Sequence, residues 1–307
     1  MTAQVSRPPS SRPWGPPIEV TRLSPALVWQ YDNSGPWERD WIHELLGDVC
    51  SHEIYDDRRY RSTYGFMYVV ENEVTKTFHN YCLDAKARGC AIRLLHLGDE
   101  GLQHDLGVYA CCAKIWRNHW SASFRLHNNI RFLPLGYKSG FARTTAPPAS
   151  SARPYRWGFA GDPHKTTRQD MLAAMRTVAD GREHLIAGWD APDSLDVNSY
   201  RAFMESVVFA PCPRGFVSPD CFRVYEALEA GCIPIVERRG NGLDDYFTAA
   251  LGDHPLPSLD RWSEAPALIA GIAQHNGISS LQAICLSWWA SYKKDLKKKL
   301  SRDFSRA

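Results

Sequence analysis

A proline- and glycine-marked turn, Pro211-Cys-Pro-Arg-Gly215, places Arg214 just ahead of a segment that carries Asp220, Arg223 and Glu226. These residue types suit a ligand with a phosphate beside a sugar. A guanidinium fork matches phosphate oxygens and forms charge-assisted hydrogen bonds to them. The first amides of a helix add a second attraction for the anion. The carboxylate of Glu226 can accept from a pair of hydroxyls. Local signals set these residues on elements. Val207–Ala210 is a short apolar run, as in a buried strand. Ser218 reads as an N-cap with Pro219 at the first helical position, and Gly231 as the residue just past the helix. Ile233–Val236 reads as the next strand. On the helix between, Cys221, Val224 and Leu228 share one face, and Asp220, Arg223, Glu226, Ala227 and Ala230 another.

In an open α/β sheet, ligands bind outside the carboxyl ends of the strands. The same reading therefore applies after every predicted strand. Tyr155–Ala160 is followed by Gly161-Asp-Pro-His-Lys165 and then Arg168. Glycine allows close backbone approach, and Lys165 and Arg168 can reach a diphosphate. The strand at 91–97 is followed by Gly98-Asp-Glu100, with His104 and Asp105 close behind. The strand at 111–116 ends in Arg117-Asn-His-Trp120. His96, inside an apolar strand, reads as a core histidine. Asp56-Asp57 and Asp244-Asp245 lack the spacing of a metal-binding Asp-x-Asp, and no His or Cys pair has a metal-ligand spacing, so no metal is expected. Gly240-Asn-Gly242 lacks the third glycine of a dinucleotide loop, which argues against a pyridine-nucleotide oxidoreductase.

The elements that must position these residues alternate between strand and helix, which predicts a parallel, doubly wound sheet. Strands are expected at 26–30, 66–70, 91–97 and 130–135, with helices at 37–46 and 73–88. Thr144-Thr-Ala-Pro-Pro-Ala-Ser-Ser-Ala-Arg-Pro154 reads as a linker. The alternation then restarts. A capping-box helix opens at Thr166 and closes at Gly181, a strand follows at 184–187 and a helix at 198–206. The expected division is a disordered tail over 1–17, one Rossmann-like domain over 18–150, a second over 151–280, and a C-terminal helix over 281–307 able to return to the first domain. The 307 residues suit about two domains, and 44% apolar with 23% charged residues marks a globular chain. A net charge of +2 points to no nucleic-acid partner. Eleven tryptophans belong mostly to cores, and nine cysteines to reduced, buried thiols.

The run Cys-Pro-Arg-Gly, then Ser, then Phe222-Arg-Val-Tyr-Glu-Ala-Leu-Glu-Ala-Gly-Cys-Ile-Pro234 resembles the donor-site signature of exostosin-like glycosyltransferases, strongly over 209–236 and more faintly over roughly 155–250. The resemblance, which extends to ribitol and glycan xylosyltransferases, implies two Rossmann-like domains in the GT-B arrangement with a cleft between them. It implies an inverting, metal-independent transfer from a UDP-sugar, with no cofactor, to a glycan or glycoconjugate acceptor. Gly161, Lys165, Arg168, Arg214, Gly215, Ser218, Phe222, Arg223 and Glu226 would hold the donor. The N-terminal half would face the acceptor, with Asp99 or Glu100 as the base that takes the hydroxyl proton, and His104, Arg117, Asn118 and His119 beside it. The rivals are a GDP-sugar-dependent, fucosyl-type transferase and a silent glycan-binding module. Many eukaryotic members of that family are Golgi type II membrane proteins. No apolar run here approaches the ~20 residues that cross a bilayer, so a cytoplasmic location is expected, or a lumenal one if the chain is a trimmed piece. The basic stretch Lys293-Lys-Asp-Leu-Lys-Lys-Lys-Leu300 reads as a solvated helix end, with peripheral membrane contact as the alternative.

Overall fold

The computed structural model describes residues 26–30, 37–50, 52–55, 67–70, 76–87, 89, 91–188, 191–274 and 277–305. The expected tail over 1–17 and the Asp56-Asp57 pair lie outside them. The first half contains β1 (Ala26–Gln30), α1 (Arg39–Leu46), β2 (His52–Tyr55), β3 (Met67–Val70), α2 (Lys76–Ala87), β4 (Ile92–His96), β5 (Cys112–Arg117) and β6 (Ile130–Phe132). Its strands form one parallel sheet in the order β2-β1-β3-β4-β5-β6. The second half contains β7 (Tyr155–Gly161), α3 (Arg168–Met175), β8 (Gly181–Leu185), α4 (Val197–Glu205), β9 (Val207–Cys212), α5 (Phe222–Glu229), β10 (Ile233–Glu237), α6 (Tyr246–Leu251), β11 (Ser258–Leu259), α7 (Ala265–Gln274) and α8 (Gly277–Ser305). Its sheet is also parallel, in the order β11-β10-β9-β7-β8. Two doubly wound α/β sheets are therefore present, as the alternation predicts.

Five local readings are corrected. The strand β2 is additional. The helix at 166–181 is shorter: α3 ends at Met175, and Gly181 opens β8 instead of closing the helix. Gly181 pairs with Trp157, and a Cβ there would collide with the Trp157 indole, so the glycine serves strand packing. The strand expected at 184–187 accordingly begins at Gly181. The capping box at Thr166 does not form. Thr166 instead donates to the Gly215 carbonyl at 3.0 Å, and Thr167 donates to Glu237. Ser218 does not cap α5. Cys221 is the N-cap residue, and Ser218 Oγ accepts from the Asp220 amide and from Asn241 Nδ2, each at 3.2 Å. Gly231 does follow α5 with φ +69°, the left-handed turn that glycine allows.

The Pro-rich stretch after residue 144 is packed against the second half. Arg153 donates to the carbonyls of Met204, Val207 and Ala230, and the Ser150 amide donates to Gln282 Oε1 at 2.8 Å. The helix α8 ties the halves together. The Trp289 ring stacks on Trp41 of α1, with centroids 5.7 Å apart, and lies 5.5 Å from the Tyr225 ring of α5. Lys293 bridges Glu44 and the fully buried Glu229 at 2.8 and 2.7 Å. Lys297 pairs with Asp48 at 2.6 Å. Two lysines of the basic stretch are thus turned to protein carboxylates. One apolar cluster runs from Leu27 through Trp41 and Tyr225 to Phe304, and a second, from Trp157 to Ile269, fills the space between the second sheet, α3 and α7. Trp29, Trp41, Trp157 and Trp289 are fully buried, in line with their reading as core residues. The eight described cysteines are free thiols. No helix among the described residues is long and apolar enough to cross a membrane.

Candidate active site

In the second sheet β7 lies between β8 and β9, so the chain leaves β7 in one direction and β9 in the other. At such a switch point the loops after the two strands diverge and leave a crevice at their carboxyl ends. A cleft of about 710 Å³ opens there, within the usual range for a small-molecule site. Its second-half wall includes Gly161, Lys165, Arg168, Gly215, Phe222, Arg223 and Glu226. The facing wall comes from the ends of β4 and β5 and from the 135–141 loop: Gly98, Asp99, Glu100, His119, Leu135, Lys138 and Phe141, with Trp37 and Glu38 ahead of α1.

Two arginines dominate the second-half wall. Arg168, at the start of α3, donates to the Asp162 carbonyl at 2.7 Å, and Arg223, on the first turn of α5, to the Ala160 carbonyl at 2.9 Å. Both guanidiniums lie over the Phe159 ring, at 5.8 and 4.5 Å. The Nε of each is buried without a partner. Among the described residues neither has a carboxylate within ion-pair distance. Burial, and then the charge of Arg223, push Arg168 down to about 10. Lys165 is lowered as well, first by burial and then by Arg168; its ammonium lies 4.5 Å from the Phe216 ring. Arg168 and Arg223, neither in an ion pair among the described residues, form with Lys165 a cationic wall suited to a polyanion. Gly161 permits the arrangement: its φ is +147°, and a Cβ would stand 2.9 Å from Arg223 Nη2. Glu226, one turn along α5, is buried. Its carboxyl is raised by burial, with Arg223 opposing, and it accepts the Lys138 amide from the other half at 3.3 Å.

Two expected donor ligands do not reach the cleft. Arg214 is turned behind the loop, where its Nε is paired with Glu237 and its Nη2 donates to the Arg239 carbonyl at 2.9 Å. Glu237 also accepts from Trp262 Nε1 at 2.8 Å, so Arg214 buttresses the turn. Ser218 is fully buried beneath the same loop.

The first-half candidates separate into structural and cleft-facing groups. Asp99 has φ +54° and is buried. Its oxygens accept from the amides of Gln103 and His104 at 2.7 and 3.1 Å and from Arg117 Nη2 at 2.9 Å. Those bonds fasten a turn, although Asp99 also lines the cleft. Arg117 is fully buried; besides Asp99 it donates to Tyr109 Oη at 3.1 Å and to the Asn118 carbonyl at 3.0 Å. It does not line the cleft. Asn118 is buried with both amide atoms unpartnered, and neither it nor His104 lines the cleft. His96 is fully buried and bonded at both ring nitrogens, to Tyr109 Oη at 2.6 Å and His104 Nδ1 at 2.9 Å. His96, Asp99 and His104 bring donor atoms within 4.8 Å of one another, a metal-sized cluster that spacing alone did not disclose; all three are engaged in the bonds just given.

Glu100 does line the cleft. Its Oε1 accepts the amides of Val217 and Ser218 at 2.9 and 3.3 Å, so it latches the first half to the loop after β9. A Cβ on Gly215 would strike that same oxygen. His119 also faces the cleft, with its Nδ1 buried and unpartnered; burial and then Arg117 push its pKa down to about 3, so the ring is neutral. Sequence reasoning missed Glu38, Lys138 and Tyr200. No motif marks them, although Tyr200 lies on the expected helix α4.

Residues 141–306 match the family model described as the RXYLT1 C-terminal domain, which is more than half of the chain. The chain belongs to this family. The RXYLT1 C-terminal domain match contains Arg168, Arg223 and Glu226, and its far end is the helix α8 that returns to α1. Ribitol-5-phosphate xylosyltransferase 1 of Mus musculus is 23% identical over 168 residues, 49% of this chain and 37% of that protein. The chain thus aligns with little more than a third of that relative. HepE of Anabaena in complex with UDP shares the fold with a TM-score of 0.59 at 8% identity, over 93% of this chain and 100% of that one. An alpha1,3-fucosyltransferase does so at 0.52 and 11% identity, over 87% and 82%. Together with the two parallel sheets these likenesses give the GT-B fold.

Proposed function

We propose that the protein is a glycosyltransferase that holds a UDP-sugar in this cleft and transfers the sugar, with inversion and without a metal, to a hydroxyl of a glycan or glycoconjugate. The carrying observation is the pairing of buried Arg168 with half-buried Arg223 at a switch point, each with a buried Nε that has no partner and neither with a carboxylate partner among the described residues. A diphosphate supplies the missing charge. As the bond to the sugar breaks, the same guanidiniums stabilise the negative charge that builds on the leaving diphosphate, and they stand in place beforehand. Glu226 accepts from the ribose hydroxyls. The names of the relatives agree with this reading: one is a xylosyltransferase, and another was solved with UDP. The exostosin-like signature over 209–236 agrees with it too.

Titrating UDP and GDP calorimetrically, with and without EDTA, tests the reading. UDP is expected to bind unchanged by EDTA and to raise the melting temperature, since saturation at 100-fold over Kd adds about 2.7 kcal/mol. Tighter binding of GDP would move the assignment to a fucosyl-type donor. Heat-stable indifference to both nucleotides would leave a glycan-binding module. Loss of binding with EDTA, restored by manganese, would replace the metal-free mechanism and point first to His96, Asp99 and His104.

A further inference from the structure

We propose that Glu38 is the general base that takes the proton of the attacking hydroxyl. The assignment rests on the donor site proposed above and adds the residue on the opposite wall. That wall carries four groups able to accept a proton: Glu38, Asp99, Glu100 and His119. Asp99 is fastened by three hydrogen bonds. Glu100 holds two amides of the other half. His119 is a neutral ring whose pKa of about 3 makes it too weak a base near neutral pH.

Glu38 is 7% exposed and lines the cleft. Among the described residues no group of another residue hydrogen-bonds its carboxylate. Its backbone is held on both sides. The Glu38 carbonyl accepts the Ile42 amide at 2.9 Å and so begins α1. The Trp37 carbonyl accepts the amide and hydroxyl of Ser139 at 2.6 and 2.8 Å. Asp40 exchanges bonds with the same loop: its amide donates to Ser139 Oγ at 3.2 Å, and its carboxylate accepts the Gly140 amide at 2.7 Å. One residue back, the Lys138 amide donates to Glu226. A single short loop therefore sets the placement of Glu38 relative to the residue that grips the donor. Burial, opposed only by its own amide, raises the Glu38 carboxyl to about 7, where a base takes a proton most effectively at neutral pH. The charged groups beside Glu38 or across the cleft from it include Arg39, Asp40, Lys138, Asp99 and Glu100 on its own side and Lys165, Arg168, Asp220, Arg223 and Glu226 on the other wall.

The step balances as a single displacement. The hydroxyl oxygen forms its bond to the anomeric carbon. The bond from that carbon to the diphosphate oxygen breaks, and its electron pair leaves with UDP. The hydroxyl proton moves to Glu38, which later releases it to solvent.

Water replaces the acceptor when none is added, so UDP release from UDP-xylose by the intact chain reads the same proton transfer. Glu38→Gln is expected to bind UDP within about threefold of wild type and to release UDP roughly 10²–10⁴ times more slowly. Wild-type rate should fall below pH 7 as Glu38 protonates, and that limb should be absent from the residual rate of Glu38→Gln. Azide or formate should restore part of the rate to Glu38→Ala, in which the anion has room to enter. Hydrolysis by Glu38→Gln within threefold of wild type would overturn the assignment. So would weakened UDP binding in that variant, which would make Glu38 a donor-holding residue. Failure of the wild-type chain to bind UDP would instead remove the donor site itself, a distinct result.

Discussion

Arg223→Ala should weaken UDP binding by about a hundredfold and Arg168→Ala by ten- to a hundredfold, with binding by the double variant below detection. Each change removes charge-assisted hydrogen bonds, worth about 1.5–3 kcal/mol apiece. Arg223 stands closer to Gly161 than Arg168 does and has the larger expected effect. Arg214→Ala serves as the control. Its guanidinium is spent on Glu237 and the Arg239 carbonyl, so UDP affinity should stay within about threefold of wild type. Isothermal calorimetry on the three variants distinguishes these results. Melting temperature adds an independent readout. Arg168 is held below its ordinary value first by burial and then by Arg223, while for Arg223 itself burial is outweighed by Tyr200, Cys221, Cys212 and Glu226. These effects oppose one another, so the empty Arg223→Ala protein should melt close to wild type. A large drop in melting temperature with unchanged UDP affinity would make the pair structural.

Asp99→Asn is expected to damage the fold more than the chemistry. Arg117 is fully buried, and Asp99 is its carboxylate partner at 2.9 Å. Removing one member of such a pair leaves the other charge uncompensated, at about 3–5 kcal/mol. For a chain of this size that corresponds to a fall of roughly 10 °C in melting temperature. Turnover per folded molecule, measured well below the transition, should remain within tenfold of wild type. A variant that folds with wild-type stability yet loses a thousandfold in turnover would return the base to Asp99 and remove it from Glu38.

The parts of the molecule that local physics determines were legible in the chain. The strand at Tyr155–Gly161, the apolar run that became β9 and the glycine after α5 follow from periodicity and from the steric freedom of one residue type. Arg168 follows from the rule that ligands gather beyond strand ends, and Arg223 from the small-residue face of the helix that follows β9. Arg214 sits as favourably by that rule, and nothing nearby in sequence marks its partner; Glu237 is 23 residues away. Ser218 before Pro219 carries a cap's signature. Yet Asp220, buried and bonded to Tyr225 Oη at 2.6 Å, intervenes, and the helix starts only after the extended Cys221. Gly181 has the same ambiguity: a glycine after a helical pattern reads as a stop, while the indole that requires it lies on the neighbouring strand. Glu38 has no local signature at all. Its burial and its place on the cleft arise from the 135–141 loop, a hundred residues further along.

The decisive measurement is UDP release from UDP-xylose by the wild-type chain beside the Arg168→Ala/Arg223→Ala double variant, each matched for folded content by circular dichroism. The two-arginine cleft predicts slow, saturable release by wild type, faster with a hydroxylated acceptor, and none by the double variant. Wild-type protein that neither binds UDP nor releases it, or a double variant that does both as well as wild type, would contradict a donor site built on Arg168 and Arg223.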